Sequence, residues 1–312
     1  MKTRLKEHVS LSLAACFVTS TVLAAGFQDD PGKHLDVLED GKPIVRYMYG
    51  YDRSSGDRKH ETYKVYHHVM NADGTDTITK GPRGQFTHHR GIFIGWSKLR
   101  HDDGQHDLWH MKQGAVQKHK EFLVKKSGSS ESVLSTRIDW FDSDGKTVCL
   151  EETRTVRVHH NKPKAFTVID FKSELEAVNG DVELRGDPEH AGMQYRPAQD
   201  VAKNKSAVYT FHKEDINPKT DRDLPWVAMT YNMENGDTYT VQHMNHPDNP
   251  KDTLYSAYRD YGRFGAFFET NIKDSETLTL RYRIQIYKGE APSREEMGQQ
   301  YKKYVSSSSP AA

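Results

Sequence analysis

Apolar and polar residues alternate with a period of two along most of the chain, the pattern of strands with one buried face. Leu35-Asp36-Val37-Leu38 and Ile44 to Tyr49 flank Asp40-Gly41, a favourable hairpin turn. Tyr63 to Met70 reads as extended and gives way to a polar loop, Asn71 to Gly84. Val116 to Lys125 and Ser132 to Asp142 alternate, and Ser143-Asp144-Gly145 turns the chain into Lys146 to His159. Ala165 to Val178 follows, then Asn179-Gly180-Asp181 and Val182-Glu183-Leu184. Ala198 to Asp223 is weakly patterned, after which Trp226 to Tyr231 and Tyr239 to His243 flank Asn235-Gly236, and Leu278 to Tyr287 forms a last clean strand. Helical composition with a capping Ser appears once, over Ser293 to Val305. Long hairpins without a repeat or a separating linker predict an all-β chain: a large antiparallel two-sheet β-sandwich, with a galactose-mutarotase-like supersandwich within reach, and one C-terminal helix. The expected limits are one domain over residues 25–305 and a disordered tail over 306–312.

One stretch departs from simple alternation. Phe86-Thr87-His88-His89-Arg90-Gly91 runs into the apolar Ile92-Phe93-Ile94-Gly95-Trp96, and His106-Asp107-Leu108-Trp109-His110 follows closely. A core strand has no structural need for adjacent imidazoles and a guanidinium, because burying them is costly unless each is partnered. If the run is extended, His88 and His89 point to opposite faces and His106, Leu108 and His110 share one. A second dense segment, Asp187-Pro188-Glu189-His190-Ala191-Gly192-Met193-Gln194-Tyr195-Arg196, is polar and loop-like at its start.

Composition narrows the classes. Basic and acidic residues balance at 44 each and no charged block is present, which argues against nucleic acid and against a charged tail. Hydrophobic content is 35% and mean hydropathy −0.84, offset by 16 Tyr, 12 Phe and 4 Trp, which bury large areas. Lys2, Arg4 and Lys6 precede an apolar run from Val9 to Leu23 with small residues at Val22-Leu23-Ala24, the layout of an export signal over residues 1–24. The run is too short and too rich in Ser and Thr to span a bilayer, and no other segment could. Leu13-Ala14-Ala15-Cys16 offers a second reading, a lipoprotein anchor through Cys16, but its preceding apolar run is very short. A periplasmic or secreted location is expected, with Cys149 left as a lone, buried, inert thiol.

Tyr66-His67-His68-Val69-Met70-Asn71-Ala72-Asp73-Gly74-Thr75, His88-His89-Arg90-Gly91 with Trp96, Asp107-Leu108-Trp109-His110, Glu189 to Arg196, His246-Pro247 and Tyr261-Gly262-Arg263-Phe264 together resemble the bacterial PmoA-like family, a group of largely uncharacterised and often exported proteins. The resemblance covers most of the chain beyond the export segment. It implies a β-sandwich from bacteria that degrade polysaccharides, not the methane oxygenase of the family's label, whose similarly named subunit is an all-helical membrane protein.

Imidazoles exchange protons near neutral pH, and arginines hold carboxylates or oxyanions. The candidate catalytic residues are therefore His89, His110 and His190 for proton transfer, with Asp107, Glu189 or Asp260 to orient a ring or act as base; Glu269 is a further acid in reach. His88, Arg90, Trp109, Gln194, Arg196, His243, His246 and Arg263 are candidates for substrate binding. The reading is an exported carbohydrate-active enzyme, a hydrolase, lyase or epimerase with a carbohydrate substrate. Two alternatives stay open: a non-catalytic glycan-binding module with exposed aromatics, and a metal-dependent oxygenase with iron or copper on His88, His89, His110 or His246. No cofactor is implied by any motif. The His and carboxylate content admits a divalent metal, although only His106 and His110, at i and i+4 in a loop-like context, approach a ligand spacing. Gly81-Pro82-Arg83-Gly84, Asp73-Gly74-Thr75-Asp76, His159-His160 and His212 read as turns or surface. Oligomeric state is not encoded in any pattern here.

Overall fold

The computed structural model describes residues 25–308, so the expected export segment lies outside it, as do residues 309–312 of the expected tail. The fold is an antiparallel β-sandwich. One eight-stranded sheet runs, edge to edge, through Gly26–Asp30, His34–Glu39, Lys42–Met48, Tyr66–Val69, Ile92–Trp96, Ala191–Tyr195, Phe264–Phe267 and Leu254–Tyr255. The facing sheet runs through Val208–Phe211, Trp226–Asn232, Thr238–Asn245, Thr277–Lys288, Thr167–Ala177, Val148–His159, Glu131–Phe141 and Val116–Ser127. A third sheet of four short strands, Thr270–Ile272, Val182–Arg185, Lys98–His101 and Gly104–His106, was not apparent from the alternation.

The core lies between the large sheets. Val45, Ile92, Ile94, Trp96 and Met193 from one meet Ile138, Val156, Phe171 and Ile284 from the other. Val148–His159 shows the alternating burial of a strand with one solvent face. Ile92–Trp96 and Ala191–Tyr195 differ: all five residues of each are buried. Ile92, Ile94 and Trp96 point into the sandwich, so Phe93 and Gln194, opposite one another in register, point out. Their outer face is covered by loops, and there Phe93, Tyr66 and Trp109 form a separate apolar cluster.

A glycine permits that covering. A Cβ on Gly95 would lie 2.4 Å from the Leu108 carbonyl oxygen, so the Asp107–His110 segment can rest directly on the strand, with Leu108 N–H donating to Trp96 O at 3.0 Å. Gly192, at φ +85°, serves the sheet itself: the Ala266 carbonyl of the adjacent strand lies 1.9 Å from where a Cβ would sit.

The C-terminal helix runs Arg294–Ser308, so Ser306 to Ser308 belong to it and not to a tail. Met297 and Tyr304 pack on Trp226, Ala228 and Met244, the outer face of the second sheet. Two short helices, Gly56–Thr62 and Gln199–Asn204, add to the expected one. No described helix is long and apolar enough to cross a membrane.

Candidate functional site

The loops on the outer face of the first sheet bring histidines from three distant segments together. His88 and His89 do not alternate across a strand, as an extended reading requires. They lie in a tight turn closed by His89 N–H donating to Phe86 O at 2.9 Å, with Phe86 at φ +55°. The turn places their rings side by side, 4.5 Å between centroids. His88 is 4.6 Å from His110, and His110 is 5.2 Å from His190. Asp107–His110 is likewise a turn, so His106 and His110 do not share a strand face.

Each of the two outer rings has a carboxylate behind it, in the same local geometry. Asp107 accepts from the Trp109 and His110 backbone N–H groups at 3.1 and 2.8 Å and from His110 Nδ1–H at 2.8 Å. Asp187 accepts from Glu189 N–H at 2.9 Å and from His190 Nδ1–H at 2.9 Å. A carboxylate only accepts, so each bond fixes the proton on Nδ1 and leaves the Nε2 lone pair available. Burial alone would raise the Asp107 carboxyl, but the bonds from His110 outweigh it and hold it at about 2. The His190 bond likewise holds Asp187 below the usual carboxylate range. Asp187 was absent from the candidates read from sequence. Its signal was the Asp-x-x-His spacing it shares with Asp107 and His110.

The inner rings are neutral. Burial, then the charge of Lys64, lowers His88 to about 2, and burial pushes His89 well down. Beneath them lie the Lys64 amine and the Arg196 guanidinium. Lys64, fully buried, donates to the carbonyl oxygens of His88, at 3.2 Å, and of Trp109. Burial takes its ammonium well below the ordinary lysine value. Arg196 lies over the Trp109 ring with Nε and Nη2 lacking any partner, and burial lowers it to about 9.

A pocket of about 380 Å³ opens against the outer rings, lined by Ser97, Lys98, Gln105, Asp107, His110, Lys112, Gln113, Asp187 and His190. No apolar side chain lines it.

The other candidates fall elsewhere. Arg90 is sealed under its own turn, donating to His89 O at 2.8 Å and His60 O at 2.9 Å, so it braces the loop. Glu189 is committed to Arg259, Arg263 and the Tyr258 hydroxyl, which leaves it no free oxygen for proton transfer. Arg263, held by Glu189, also donates to the Tyr261 hydroxyl at 2.6 Å. Asp260 is exposed beside that cluster. Gln194 is fully buried and donates to Ala191 O at 2.9 Å. His243 is enclosed in the core, accepting from Tyr255 OH at 3.2 Å and donating to Met193 Sδ at 3.1 Å. His246 packs against Tyr304 of the C-terminal helix. Metal-ligand spacing occurs among the described residues at His101, His106 and Asp142, in the small sheet and the turn beside it.

A family model described as a family of unknown function, DUF6807, matches residues 34–302. No curated protein matches the chain. Solved structures that match include a mutant of the heparan sulfate lyase HepC from Pedobacter heparinus, at 9% identity over 86% of this chain and 37% of that one, TM-score 0.42. A putative kojibiose phosphorylase from the human microbiome matches at 12% identity over 93% and 33%, TM-score 0.39. A heparinase III matches at 12% identity over 86% and 35%, TM-score 0.32. The chain spans about a third of the length of these structures.

Proposed function

The chain belongs to that family of unknown function, so its activity has to be sought in its own site, and we propose that it is an exported carbohydrate-active enzyme working by histidine acid–base chemistry on an acidic sugar. The observation that carries this reading is the pair of Asp–His dyads whose rings stand 5.2 Å apart at the mouth of one polar pocket. Two imidazoles anchored through Nδ1 can take a proton from one side of a substrate and return one to another through Nε2. The pocket volume falls within the roughly 300–1,000 Å³ usual for small-molecule sites. Its lining of amides, a hydroxyl, ammonium groups and imidazoles suits a polyhydroxylated ligand, and Lys98 and Lys112 suit one bearing a carboxylate.

The carboxylates favour proton transfer at carbon over hydrolysis. Glycoside hydrolysis ordinarily requires one carboxylic acid that can give up a proton and a second carboxylate free to act. Asp107 and Asp187 are each bound to a ring and to turn N–H groups. In the proposed reaction one Nε2 removes the proton α to the sugar carboxylate. The cations of the site stabilise the enediolate that forms. The second imidazole enters the cycle with a proton from solvent on Nε2 and gives it to the departing 4-oxygen as the C4–O bond breaks, which completes an elimination, or to the opposite face of the same carbon, which completes an epimerisation. A glycan-binding module is less well supported, because all four Trp are buried and none offers a stacking platform.

The test is a product screen on a panel of uronate-containing polysaccharides and oligosaccharides, read by mass spectrometry. Unsaturated or epimerised products that disappear in His110→Gln and His190→Gln support the proposal. Products heavier by one water, or turnover unchanged in both variants, overturn it.

A further inference from the structure

A second cluster lies apart from the proton-transfer rings, and nothing in the proposed chemistry uses it. The hairpin Lys98–His101 and Gly104–His106 presents His101 and His106, and the turn after Glu131–Phe141 presents Asp142. One ligand atom from each lies within 4.8 Å of the other two.

The hydrogen bonding of His101 is incomplete in an informative way. Its ring is fully buried. Nε2 is 2.8 Å from the Asn179 carbonyl oxygen, which can only accept, so Nε2 carries a proton. Nδ1 is buried and has no hydrogen-bond partner. What faces it is the Asp142 carboxylate, itself buried, with an oxygen 3.9 Å away. A lone pair and an anion turned toward each other at that distance have no donor between them. Leaving such a lone pair unmatched in the interior is costly; Asp142 itself accepts from Asp144 N–H through Oδ1 at 2.9 Å and presents Oδ2 to His101. An imidazole whose far N–H is anchored to a backbone carbonyl is the usual arrangement behind a metal-bound histidine.

His106 supplies a third donor. Its Nδ1 accepts from Ser143 N–H at 3.1 Å, with Ser143 Oγ 3.2 Å away, and its Nε2 lies 3.4 Å from the His101 carbonyl oxygen, so ligation exchanges one of these bonds for the ion. Asp102, exposed on the hairpin turn, has an oxygen 3.9 Å from the same His101 nitrogen and can close a fourth position. Tetrahedral zinc with bonds of about 2.0–2.2 Å needs its ligand atoms about 3.4 Å apart. The His101–Asp142 pair, at 3.9 Å, and the set as a whole, within 4.8 Å, require an inward movement of about an ångström.

We infer that His101, His106 and Asp142 form a binding site for a first-row divalent cation, with zinc the best match to two imidazoles and a carboxylate. The ion fastens the small-sheet hairpin to the turn of the second large sheet. Because Asp107 follows His106 directly, it also fixes the start of the turn that carries His110.

The test uses the full chain, purified without chelator and without a metal-affinity column, stripped with EDTA, dialysed and titrated with zinc alone. Wild type is expected to take up one zinc per chain, with a rise in melting temperature. His106→Gln and Asp142→Asn are expected to bind at least tenfold more weakly and to lose that rise. His106 is partly exposed, so its variant tests the site without opening the core. His110→Gln is expected to bind like wild type. Substoichiometric uptake by wild type, uptake unchanged in both site variants, or uptake lost in His110→Gln instead would each overturn the inference. These outcomes do not depend on whether the chain acts on a sugar.

Discussion

The imidazole of His110 stands 5.2 Å from that of His190, centroid to centroid, at 37° between planes. Each is fixed from behind by an aspartate three residues earlier, Asp107 or Asp187. The two turns use one device: the carboxylate accepts from the backbone N–H two residues on and orients the ring of the residue after that. Asp187→Asn keeps the shape of this turn and removes the charge that stabilises a protonated His190. We expect turnover to fall by about a hundredfold to ten-thousandfold, the range of a lost acid–base group, with KM little changed. Steady-state kinetics on whichever sugar acid the screen identifies would show this, and an unaltered kcat would remove His190 from the chemistry.

Lys64 joins the loops that carry these rings. Its ammonium group donates to His88 O and Trp109 O, tying the first turn to the second. Lys64→Met would leave two carbonyls without a donor, at a cost of about 1–3 kcal/mol each, partly offset by relief of a buried amine. The expected net loss is about 1–3 kcal/mol in urea unfolding, accompanied by lower kcat as His88 and His110 separate. Wild-type stability in this variant would show that the carbonyls find other partners.

Gly95 tests how closely the His110 turn must approach the sheet. With the Leu108 carbonyl 2.4 Å from the position of a Cβ, Gly95→Ala forces the turn outward and breaks the Leu108 N–H bond to Trp96 O. Overpacking of this kind costs about 1–3 kcal/mol. Activity is expected to fall by more than the stability change explains, since His110 moves away from His190 while the sandwich interior is untouched. Comparison of melting temperature with turnover, alanine variant against wild type, checks it.

The strands were legible because a two-residue period survives wherever one face meets solvent, as in Val148–His159. Ile92–Trp96 was legible for another reason, a short apolar run buried on both faces. The same alternation misleads at His88 and His89, where Phe86 adopts a left-handed conformation and a turn replaces the strand. The helix Gly56–Thr62 buries no side chain, so it has no apolar period to detect. Asp187 was visible only as a spacing. That its turn would meet Asp107–His110 depends on which loops the first sheet folds over its outer face, and local pattern carries no record of that. His243 shows the converse: its imidazole is polar in sequence but serves the core, with Tyr255 and Met193 as partners.

Acid stability can be read at Asp170, on the outer face of the second sheet and far in sequence from either histidine cluster. Arg283 donates to both its oxygens, at 2.6 and 2.9 Å, and His159 Nε2 lies 2.8 Å from one. Burial alone would raise this carboxyl; the Arg283 bonds, then His159, outweigh it and leave it below the ordinary aspartate value. A carboxyl lowered in the folded state binds its proton less readily there than in the unfolded chain. Its contribution is therefore complete above the unfolded value of about 3.9 and is lost as pH falls through the lower, folded one. Asp170→Asn is expected to cost about 1.5–3 kcal/mol at pH 7, the usual worth of hydrogen bonds to a charged group. The gap between variant and wild type should narrow below about pH 4. Urea unfolding across that range measures it. A gap that widens below about pH 4 would mean that Asp170 is held protonated in the fold, contrary to the sign argued here.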